Sequence, residues 1–238
     1  MILSLIATKG GGGKSTITEC LAFSGAFQKS FPSIAIVELD AQGSIEAWHS
    51  TREEEQNKKS SPVGYYNLSK ASRREITTRL DEIVNQYECV VLDVPGESTE
   101  GFSTLLALNL SDIVIVPLRA SDKDESAFFN NLLPLIESTL KKNKDVQFFV
   151  IPNFINPSTK PESVADYYNA ILPEEVPYLG TFIVNRVIYE GYGLNGLTLR
   201  EQVQSVKANK RLYAQGRKAV NEIEAAAKKI LDHFKEVK

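Results

Sequence analysis

A glycine-rich segment near the start of the chain combines two lysines with two hydroxyl side chains. It reads Lys9-Gly-Gly-Gly-Gly-Lys14-Ser15-Thr16, and its glycines are Gly10, Gly11, Gly12 and Gly13. An apolar run that predicts a buried strand precedes it, and a helical pattern follows it. Glycines in this position let backbone N–H groups wrap a phosphate, and the helix N-terminus adds a favourable dipole. The segment therefore predicts a nucleotide phosphate-binding loop, with Lys14 on the β- and γ-phosphates and the Ser15 hydroxyl on Mg²⁺.

Two aspartates lie at the carboxyl ends of predicted strands. Asp40 follows the run Ile34-Ala-Ile-Val-Glu-Leu, and Asp93 ends the run Cys89-Val-Val-Leu. In open parallel sheets, ligands bind at this edge. We therefore expect Asp40 to orient the attacking water or to hold a metal-bound water, although a loop aspartate that caps the next helix is the alternative.

These segments resemble three motifs of one family. Residues 9–16 resemble the deviant Walker A loop of the ParA/MinD ATPases, residues 37–44 resemble the aspartate segment after their second strand, and residues 90–96 resemble their Walker B segment. The usual phosphate-loop pattern has glycine where this chain has Thr8, and Val94 replaces a residue that is often Thr or Pro. In the family, the extra lysine, which matches Lys9, crosses a nucleotide-sandwich dimer to the partner's phosphates.

The resemblance implies roles for individual residues. It makes Lys9, Lys14 and Asp40 the catalytic residues, and it places Ser15 and Asp93 at Mg²⁺, directly or through water. It also implies that the phosphate loop, Thr16 included, binds ATP, and that the chain forms a homodimer on ATP. Asn153 matches an adenine-contacting position, although an Asn at a strand end is also an ordinary turn residue.

The C-terminal third of the chain carries a local excess of positive charge. Residues 186–218 contain seven Lys and Arg against two Glu, which gives +5 and leaves −8 for the rest of the chain. Such asymmetry is typical of a protein that binds phosphate backbones without reading bases, although an ordinary solvated helix face is the alternative. The candidate DNA contacts are Arg186, Lys207, Lys210, Arg211, Arg217 and Lys218.

The order of apolar runs and helical patterns indicates an α/β fold. Strands are predicted over 2–8, 34–39, 89–93, 112–117, 146–152 and 181–184, and helices over 15–27, 72–87, 124–141 and 199–238, while 45–62 reads as a solvated helix end or loop. Ser72 and Glu75 are spaced as a capping box. These elements predict a doubly wound, mostly parallel sheet with helices on both faces, formed by one domain over 1–238.

Composition excludes several classes of protein. The 238 residues carry a net charge of −3, and Cys20 and Cys89 are too few for a disulfide framework or a four-thiolate metal site. No apolar run approaches the ~20 residues of a membrane span. The first strand begins at residue 2, so we expect no N-terminal helix-turn-helix domain, and we expect a cytoplasmic protein that associates with the nucleoid when ATP is bound.

The sequence thus predicts a protein that resembles the short, plasmid-type ParA ATPases. Such a protein hydrolyses ATP slowly by itself, binds DNA non-specifically as an ATP dimer, and is released when a ParB-like partner stimulates hydrolysis. Two alternatives stay open. One is a MinD-like ATPase on a membrane surface, which the mixed charges of residues 225–238 disfavour. The other is a metabolic phosphate-loop enzyme of the dethiobiotin-synthetase type.

Overall fold

Six parallel strands form one sheet at the centre of the molecule. The computed structural model describes residues 1–55, 62–96, 101–193 and 195–236. The strands are β1 (Ile2–Leu5), β2 (Ile34–Glu38), β3 (Val63–Asn67), β4 (Cys89–Asp93), β5 (Ile113–Arg119) and β6 (Gln147–Asn153). Their order is β3-β2-β4-β1-β5-β6, and every neighbouring pair is parallel. The predicted doubly wound α/β fold is confirmed.

Helices connect the strands and cover both faces of the sheet. They are α1 (Lys14–Ala22), α2 (Gly25–Ser30), α3 (Ser44–Glu55), α4 (Arg73–Gln86), α5 (Phe102–Leu110), α6 (Asp122–Ala127), α7 (Leu133–Leu140), α8 (Pro161–Ile171), α9 (Leu199–Ser205) and α10 (Lys210–Glu236). A π-helical turn (Phe128–Leu132) joins α6 to α7, and a 3-10 turn (Val187–Tyr189) precedes α9.

The strands contribute alternate side chains to two cores. In β1, Leu3 and Leu5 point into the core that α1, α2, α9 and α10 cover, whereas Ile6, just after the strand, belongs to the core beneath α4, α5, α7 and α8. Such alternation is expected because successive side chains of a strand point to opposite faces. Burial on both faces explains why the strands read as continuous apolar runs.

The last helix forms one wall of the first core. Ile223, Ala227, Ile230 and Leu231 of α10 are buried, as the helical spacing of the sequence predicts. Near the end of the helix, His233 stacks on Phe149, a residue close to the start of β6. The apolar residues of this terminal segment therefore dock onto the core.

Several helices differ from their predicted bounds. The helix predicted over 15–27 is divided into α1 and α2, because the Ser24 side chain accepts a hydrogen bond from the Phe27 N–H and starts a new helix. The helix predicted over 124–141 contains the π-helical turn, and the one over 199–238 is broken between α9 and α10. The capping box of Ser72 and Glu75 is present at the start of α4.

Residues 45–55 are more ordered than their charge suggests. They include most of α3, whose Ile45 and Trp48 are buried beneath its charged outer face. Residues 56–61, which belong to the same predicted loop, lie outside the described residues. The strand β3 and the helices α5 and α8 are additions to the predicted elements.

The prediction of a strand over 181–184 is wrong. This segment runs beside the end of β6, and Ile183 N–H donates to the Pro152 carbonyl at 2.9 Å, but only one bridge forms, between Ile155 and Val184. Phe154 interrupts the ladder because its backbone has φ of +57°, far from strand geometry.

Two further expectations concern composition. Cys20 and Cys89 are both buried and free, so they act as core residues. Among the described residues, no helix combines the length and apolarity that crossing a membrane requires.

Candidate functional site

The glycine loop connects the central strand β1 to α1 at the carboxyl edge of the sheet. Gly11 and Gly13 have φ of +75° and +77°, a conformation that only glycine adopts without strain. Gly96, just after β4, lies directly against the loop, since a Cβ added there would be 2.7 Å from the Lys9 carbonyl oxygen. The loop therefore depends on glycine both within itself and in the segment that supports it.

Lys14 brings the two predicted aspartates together. Its Nζ lies 2.7 Å from Asp93 Oδ1 and 3.3 Å from Asp40 Oδ2, and its side chain is 7% exposed. A buried ammonium needs such partners because desolvation disfavours an isolated charge. The ends of β2 and β4 thus meet the first residue of α1, and the three side chains converge on one point.

Hydroxyl groups complete the surroundings of Asp93. Ser15 Oγ donates to Asp93 Oδ2 at 2.8 Å, and Thr18 Oγ1 lies 3.3 Å from Asp93 Oδ1. Burial raises the pKa of Asp93, and Lys14 and Ser15 partly offset that effect. The oxygen atoms of Ser15 and Asp93 are ligands of the type that Mg²⁺ prefers, together with phosphate oxygens and water. The donor set therefore fits a magnesium ion that a bound nucleotide would bring.

Such an ion would depend on the nucleotide for most of its ligands. The described residues contain no group of three or more His, Cys, Asp or Glu side chains placed to hold a metal ion by themselves.

Asp40 also organises the turn that follows β2. Its Oδ1 accepts a hydrogen bond from Gln42 N–H at 3.0 Å, while its other oxygen faces Lys14. The N-terminus of α3 is held by a different carboxylate, because Glu38 accepts from Ile45 N–H and Glu46 N–H at 2.9 Å each. The alternative interpretation, in which Asp40 caps the next helix, does not describe its contacts.

Two adjoining cavities open at the loop. The first, of about 300 Å³, is lined by residues 9–16 together with Asp40, Gln42, Ser44 and Phe154. The second, of about 150 Å³, begins at Gly13 and Thr16 and continues between Asn153 and the segment 183–190. A larger cavity of about 710 Å³, which Phe154 also lines, lies between α6 and α8. A ligand on the phosphate loop would have room to extend into the second cavity.

Asn153 is engaged with the protein backbone. Its Nδ2 donates to the Gly12 carbonyl at 2.6 Å, and its Oδ1 accepts from Phe154 N–H at 2.8 Å. It lines the second cavity, as its predicted contact with a base requires. The turn-residue alternative also describes it, because both of its bonds shape the backbone.

Lys9 makes its contacts within its own chain. Its Nζ donates to the Lys123 carbonyl at 2.9 Å and lies 3.9 Å from Asp124 Oδ1, at the start of α6. The side chain is 45% exposed, in contrast to the buried Lys14. The two lysines of the loop therefore have different environments.

The predicted DNA contacts divide into two groups. Arg186 forms an ion pair with Glu222, in which its side chain is only 12% exposed, so its charge is compensated. The other five are exposed, and among the described residues none of them has an ion-pair partner. These five, which we call the basic surface, are Lys207, Lys210, Arg211, Arg217 and Lys218.

Four of the five lie on one side of α10. At 100° per residue, Lys210, Arg211, Arg217 and Lys218 fall within an arc of about 120°. The arc lies away from the buried Gly216 and Ala219.

Three residues at the site were not predicted from the sequence. They are Phe154, Arg119, whose guanidinium lies 3.6 Å from the Phe154 ring centre, and Asp124 beside Lys9. None belongs to a motif. The only signal of Phe154 and Arg119 is their position at or just after a strand end, and that of Asp124 is its position in the first turn of α6.

The comparisons with known proteins establish the fold. No family model matches the chain, and no curated protein does. Among solved structures, the chain is similar to a plasmid partition protein from Borrelia burgdorferi (15% identity, TM-score 0.62, 98% of each chain). It is also similar to a McdA–ATP complex from Cyanothece (16% identity, TM-score 0.64, 93% of this chain and 95% of that one). A third similar structure is the cell division ATPase MinD of Pyrococcus furiosus (14% identity, TM-score 0.66, 98% of each chain). The structural neighbours are thus ParA/MinD-type proteins, and the chain has their fold.

Proposed function

We propose that this chain is a ParA-like ATPase that dimerises on ATP, binds DNA non-specifically and positions a cargo such as a plasmid or chromosome region. A ParB-like partner would stimulate hydrolysis and release it from DNA. The observation that carries the proposal is the two-lysine loop, in which buried Lys14 contacts Asp93 and Asp40, whereas the Lys9 side chain is 45% exposed at the rim of the cavity and contacts neither aspartate. A metabolic enzyme acting as a monomer has no use for that second lysine.

The residues of the site have complementary tasks in phosphoryl transfer to water. This reaction depends mainly on positioning and on neutralising charge. Lys14 supplies positive charge at the β- and γ-phosphates, and the glycine N–H groups surround them. Asp40 orients the attacking water. Magnesium, which Ser15 and Asp93 would hold directly or through water, neutralises charge on the phosphate oxygens when bound.

The basic surface supports the DNA part of the proposal. Its five cations are exposed and uncompensated among the described residues, and a dimer would present them twice. Binding through phosphates alone is independent of base sequence and weakens steeply with salt. We leave Arg186 out of this surface because Glu222 neutralises it.

The proposal includes slow turnover without an activator. In the proposed cycle the ATP dimer is the bound state, and hydrolysis returns a monomer that leaves DNA. A partner with a basic, arginine-bearing segment suits this role, since an arginine near the transferring phosphate stabilises the transition state. The protein would then alternate between the nucleoid and the cytoplasm.

The decisive experiment measures binding to random duplex DNA with ATP, with ADP and without nucleotide, at low and moderate salt. Asp40→Ala and Lys9→Ala variants are compared with the unmodified protein, and light scattering reports the dimer. We expect tight, salt-sensitive binding with ATP alone, which Asp40→Ala prolongs and Lys9→Ala abolishes.

Other outcomes point to the alternatives. ATP turnover that is unchanged in Lys9→Ala would favour a metabolic enzyme. ATP-dependent binding to liposomes without binding to DNA would favour a MinD-like protein, although Ile230 and Leu231 are buried in the core. Absence of DNA binding in every nucleotide state would contradict the proposal.

A further inference from the structure

Phe154 has an unusual backbone conformation at the edge of the site. Among the described residues it is the one non-glycine residue with positive φ, +57°. A side chain with a Cβ avoids this region, and residues held there cluster at ligand clamps and active sites. The conformation therefore raises the question of what the Phe154 side chain does in that position.

Hydrogen bonds tie this conformation to the phosphate loop. Asn153 Oδ1 accepts from Phe154 N–H at 2.8 Å, and Asn153 Nδ2 donates to the Gly12 carbonyl at 2.6 Å. The ring itself lies close to the loop, since a Cβ added to Gly13 would be 3.2 Å from Phe154 Cε2. The turn formed by Asn153 and Phe154 is thus joined to the phosphate loop by a hydrogen bond to Gly12 and by the contact of the ring with Gly13.

Arg119 covers one side of the ring. Its guanidinium carbon lies 3.6 Å from the ring centre, and its buried Nε has no hydrogen-bond partner among the described residues. Cation–π attraction can account for the placement of this guanidinium. Arg119 also lines the 710 Å³ cavity but not the 150 Å³ one. Phe154 lines both cavities, so the arginine lies against its ring at the larger one.

Phe154 also lines a smaller cavity, from which Arg119 is absent, and this space suits a flat ligand. The 150 Å³ cavity starts at Gly13 and Thr16, and apolar side chains of Ile17, Ile183 and Val184 line it. Phe154 is 38% exposed, which makes it one of the exposed large apolar residues among those that the structure describes. An aromatic surface that is partly exposed over an apolar slot can gain contact area when a second ring stacks on it.

We propose that Phe154, backed by Arg119, is the stacking surface for the nucleotide base and a specificity-determining residue of the site. It would make the protein bind a triphosphate that carries an aromatic base in preference to a bare triphosphate. This inference rests on the nucleotide binding in the proposed function, and it is independent of DNA binding and dimerisation. Base stacking is tolerant of base identity, so Phe154 contributes similarly to ATP and GTP.

The test compares three magnesium complexes by calorimetry: ATP, GTP and inorganic tripolyphosphate. Phe154→Leu removes the aromatic ring, and Phe154→Gly removes the side chain while fitting the positive φ without strain. Phe154→Tyr retains the ring. Val187→Ala is the matched control, because Val187 is an exposed apolar residue of the neighbouring turn that lines none of the three cavities.

We expect Phe154→Leu and Phe154→Gly to weaken ATP and GTP binding about tenfold or more, in the range found for base–aromatic stacking. Tripolyphosphate binding should change less than about twofold, as should every affinity of Val187→Ala, and Phe154→Tyr should retain most of the affinity for ATP. Arg119→Gln should weaken ATP binding by a smaller factor, because the ring loses its support on one side.

Two results would overturn the inference. Equal losses for ATP and tripolyphosphate would mean that Phe154 only supports the phosphate loop, and unchanged ATP binding would mean that the base does not stack there. Failure of the unmodified protein to bind ATP would instead contradict the proposed function itself. The two failures are therefore distinguishable in the same set of titrations.

Discussion

Lys9 is held by the beginning of α6, and this contact has to break if the residue is to reach a second protomer. The carbonyl of Lys123 and the carboxylate of Asp124 both face its ammonium. An exposed ion pair of this kind contributes little, about 0–1 kcal/mol. The contact is therefore weak enough to be exchanged for the phosphates of a partner's nucleotide.

The first prediction concerns this contact. Asp124→Asn removes the charge that faces Lys9, so Lys9 is released more easily and the ATP dimer is favoured. Since each protomer releases one lysine, we expect a roughly two- to tenfold higher dimerisation constant with ATP. Sedimentation equilibrium of the Asp40→Ala background with ATP measures it.

Asp122→Asn is the matched control, because Asp122 lies in the same first turn of α6 without an ion pair to Lys9. Equal effects of the two variants would show that general charge, and not the contact with Lys9, sets the dimerisation constant.

The second prediction concerns Gly96. A methyl group at Gly96 would be 2.7 Å from the Lys9 carbonyl oxygen and 2.9 Å from its carbonyl carbon, so the backbone of the phosphate loop has to move. Displacement of catalytic groups by about 1 Å can cost about 100-fold in rate. We expect Gly96→Ala to lower ATP turnover about 10- to 100-fold while the circular dichroism spectrum stays unchanged; normal turnover would contradict the role assigned to this glycine.

Residues of the phosphate loop could be predicted from the sequence because glycine, lysine and serine are specified by local backbone chemistry. Phe154 and Arg119 could not, because their pairing depends on how the ends of β5 and β6 sit beside each other. Arg186 shows a different difficulty. It belongs to a basic stretch of the sequence, but its charge is compensated by Glu222, which lies 36 residues later. Charge counts along a sequence do not reveal such compensation.

At the scale of elements, α10 fastens the short helix α2. Glu224 accepts hydrogen bonds from Gly25 N–H at 2.6 Å and Ala26 N–H at 3.0 Å, and it pairs with Arg200. A carboxylate at a helix N-terminus satisfies free N–H groups and interacts favourably with the helix dipole. Burial raises the pKa of Glu224, but these partners outweigh it and hold the pKa below the ordinary value of 4.5.

The third prediction is a pH dependence of stability. Because the folded-state pKa of Glu224 is lowered, its stabilisation is complete above about pH 4.5 and is lost as the pH falls through the folded-state pKa. Glu224→Gln should lower the free energy of unfolding at pH 7 by about 1 kcal/mol, after allowance for solvent screening. It should also flatten the fall in stability below pH 4.5.

Urea denaturation between pH 7 and 3.5 measures both effects. Glu174→Gln is the control, since Glu174 is exposed. An identical pH profile in Glu224→Gln and the unmodified protein would contradict the assignment.

Elements with strong local signals were predictable, and those defined by tertiary contacts were not. Aliphatic runs gave the positions of β1, β2, β4, β5 and β6, and Ser72 with Glu75 gave the start of α4. The edge strand β3 reads Val-Gly-Tyr-Tyr-Asn, which lacks such a run, and Gly64 is needed there because Tyr87 packs closely against it. The charged face of α3 concealed Ile45 and Trp48, which only the folded chain shows to be buried.

At the scale of the whole molecule, the basic surface and the two cavities at the glycine loop lie toward the same end of the sheet. The end of α10 is beside Phe149 near the start of β6, whereas Glu222, earlier in α10, contacts Arg186 and Val184 N–H beyond the end of β6. The helix therefore runs opposite to the strands, and its first turns point toward the carboxyl edge that carries the phosphate loop. This placement connects the proposed DNA contacts to the edge where a dimer would form.

The fourth prediction is a change in salt dependence. Replacing Lys210 and Arg217 together by alanine removes two cations from each protomer's basic surface. If both contact phosphates, the slope of log affinity against log salt concentration should become shallower by about 2 per protomer, equally for any DNA sequence. Fluorescence anisotropy with labelled random duplexes at several salt concentrations measures it.

The control replaces Lys141 and Lys142, which are exposed and follow α7 just before β6 begins, at the opposite edge of the sheet. The same loss of slope in both double variants would show that total charge, and not the basic surface, determines binding.

The central position of β1 has a consequence for how the protein is made. Hydrogen bonds join Met1 to Glu88 and Ile2 to Asp112, separations of 87 and 110 residues, and the wall formed by α10 comes later still. A ribosome therefore releases the first strand and its phosphate loop long before their neighbours exist. Because pairing over such distances is slow, the apolar β1 stays open to other contacts during synthesis, and the site around Lys14 is complete only when nearly the whole chain has been made.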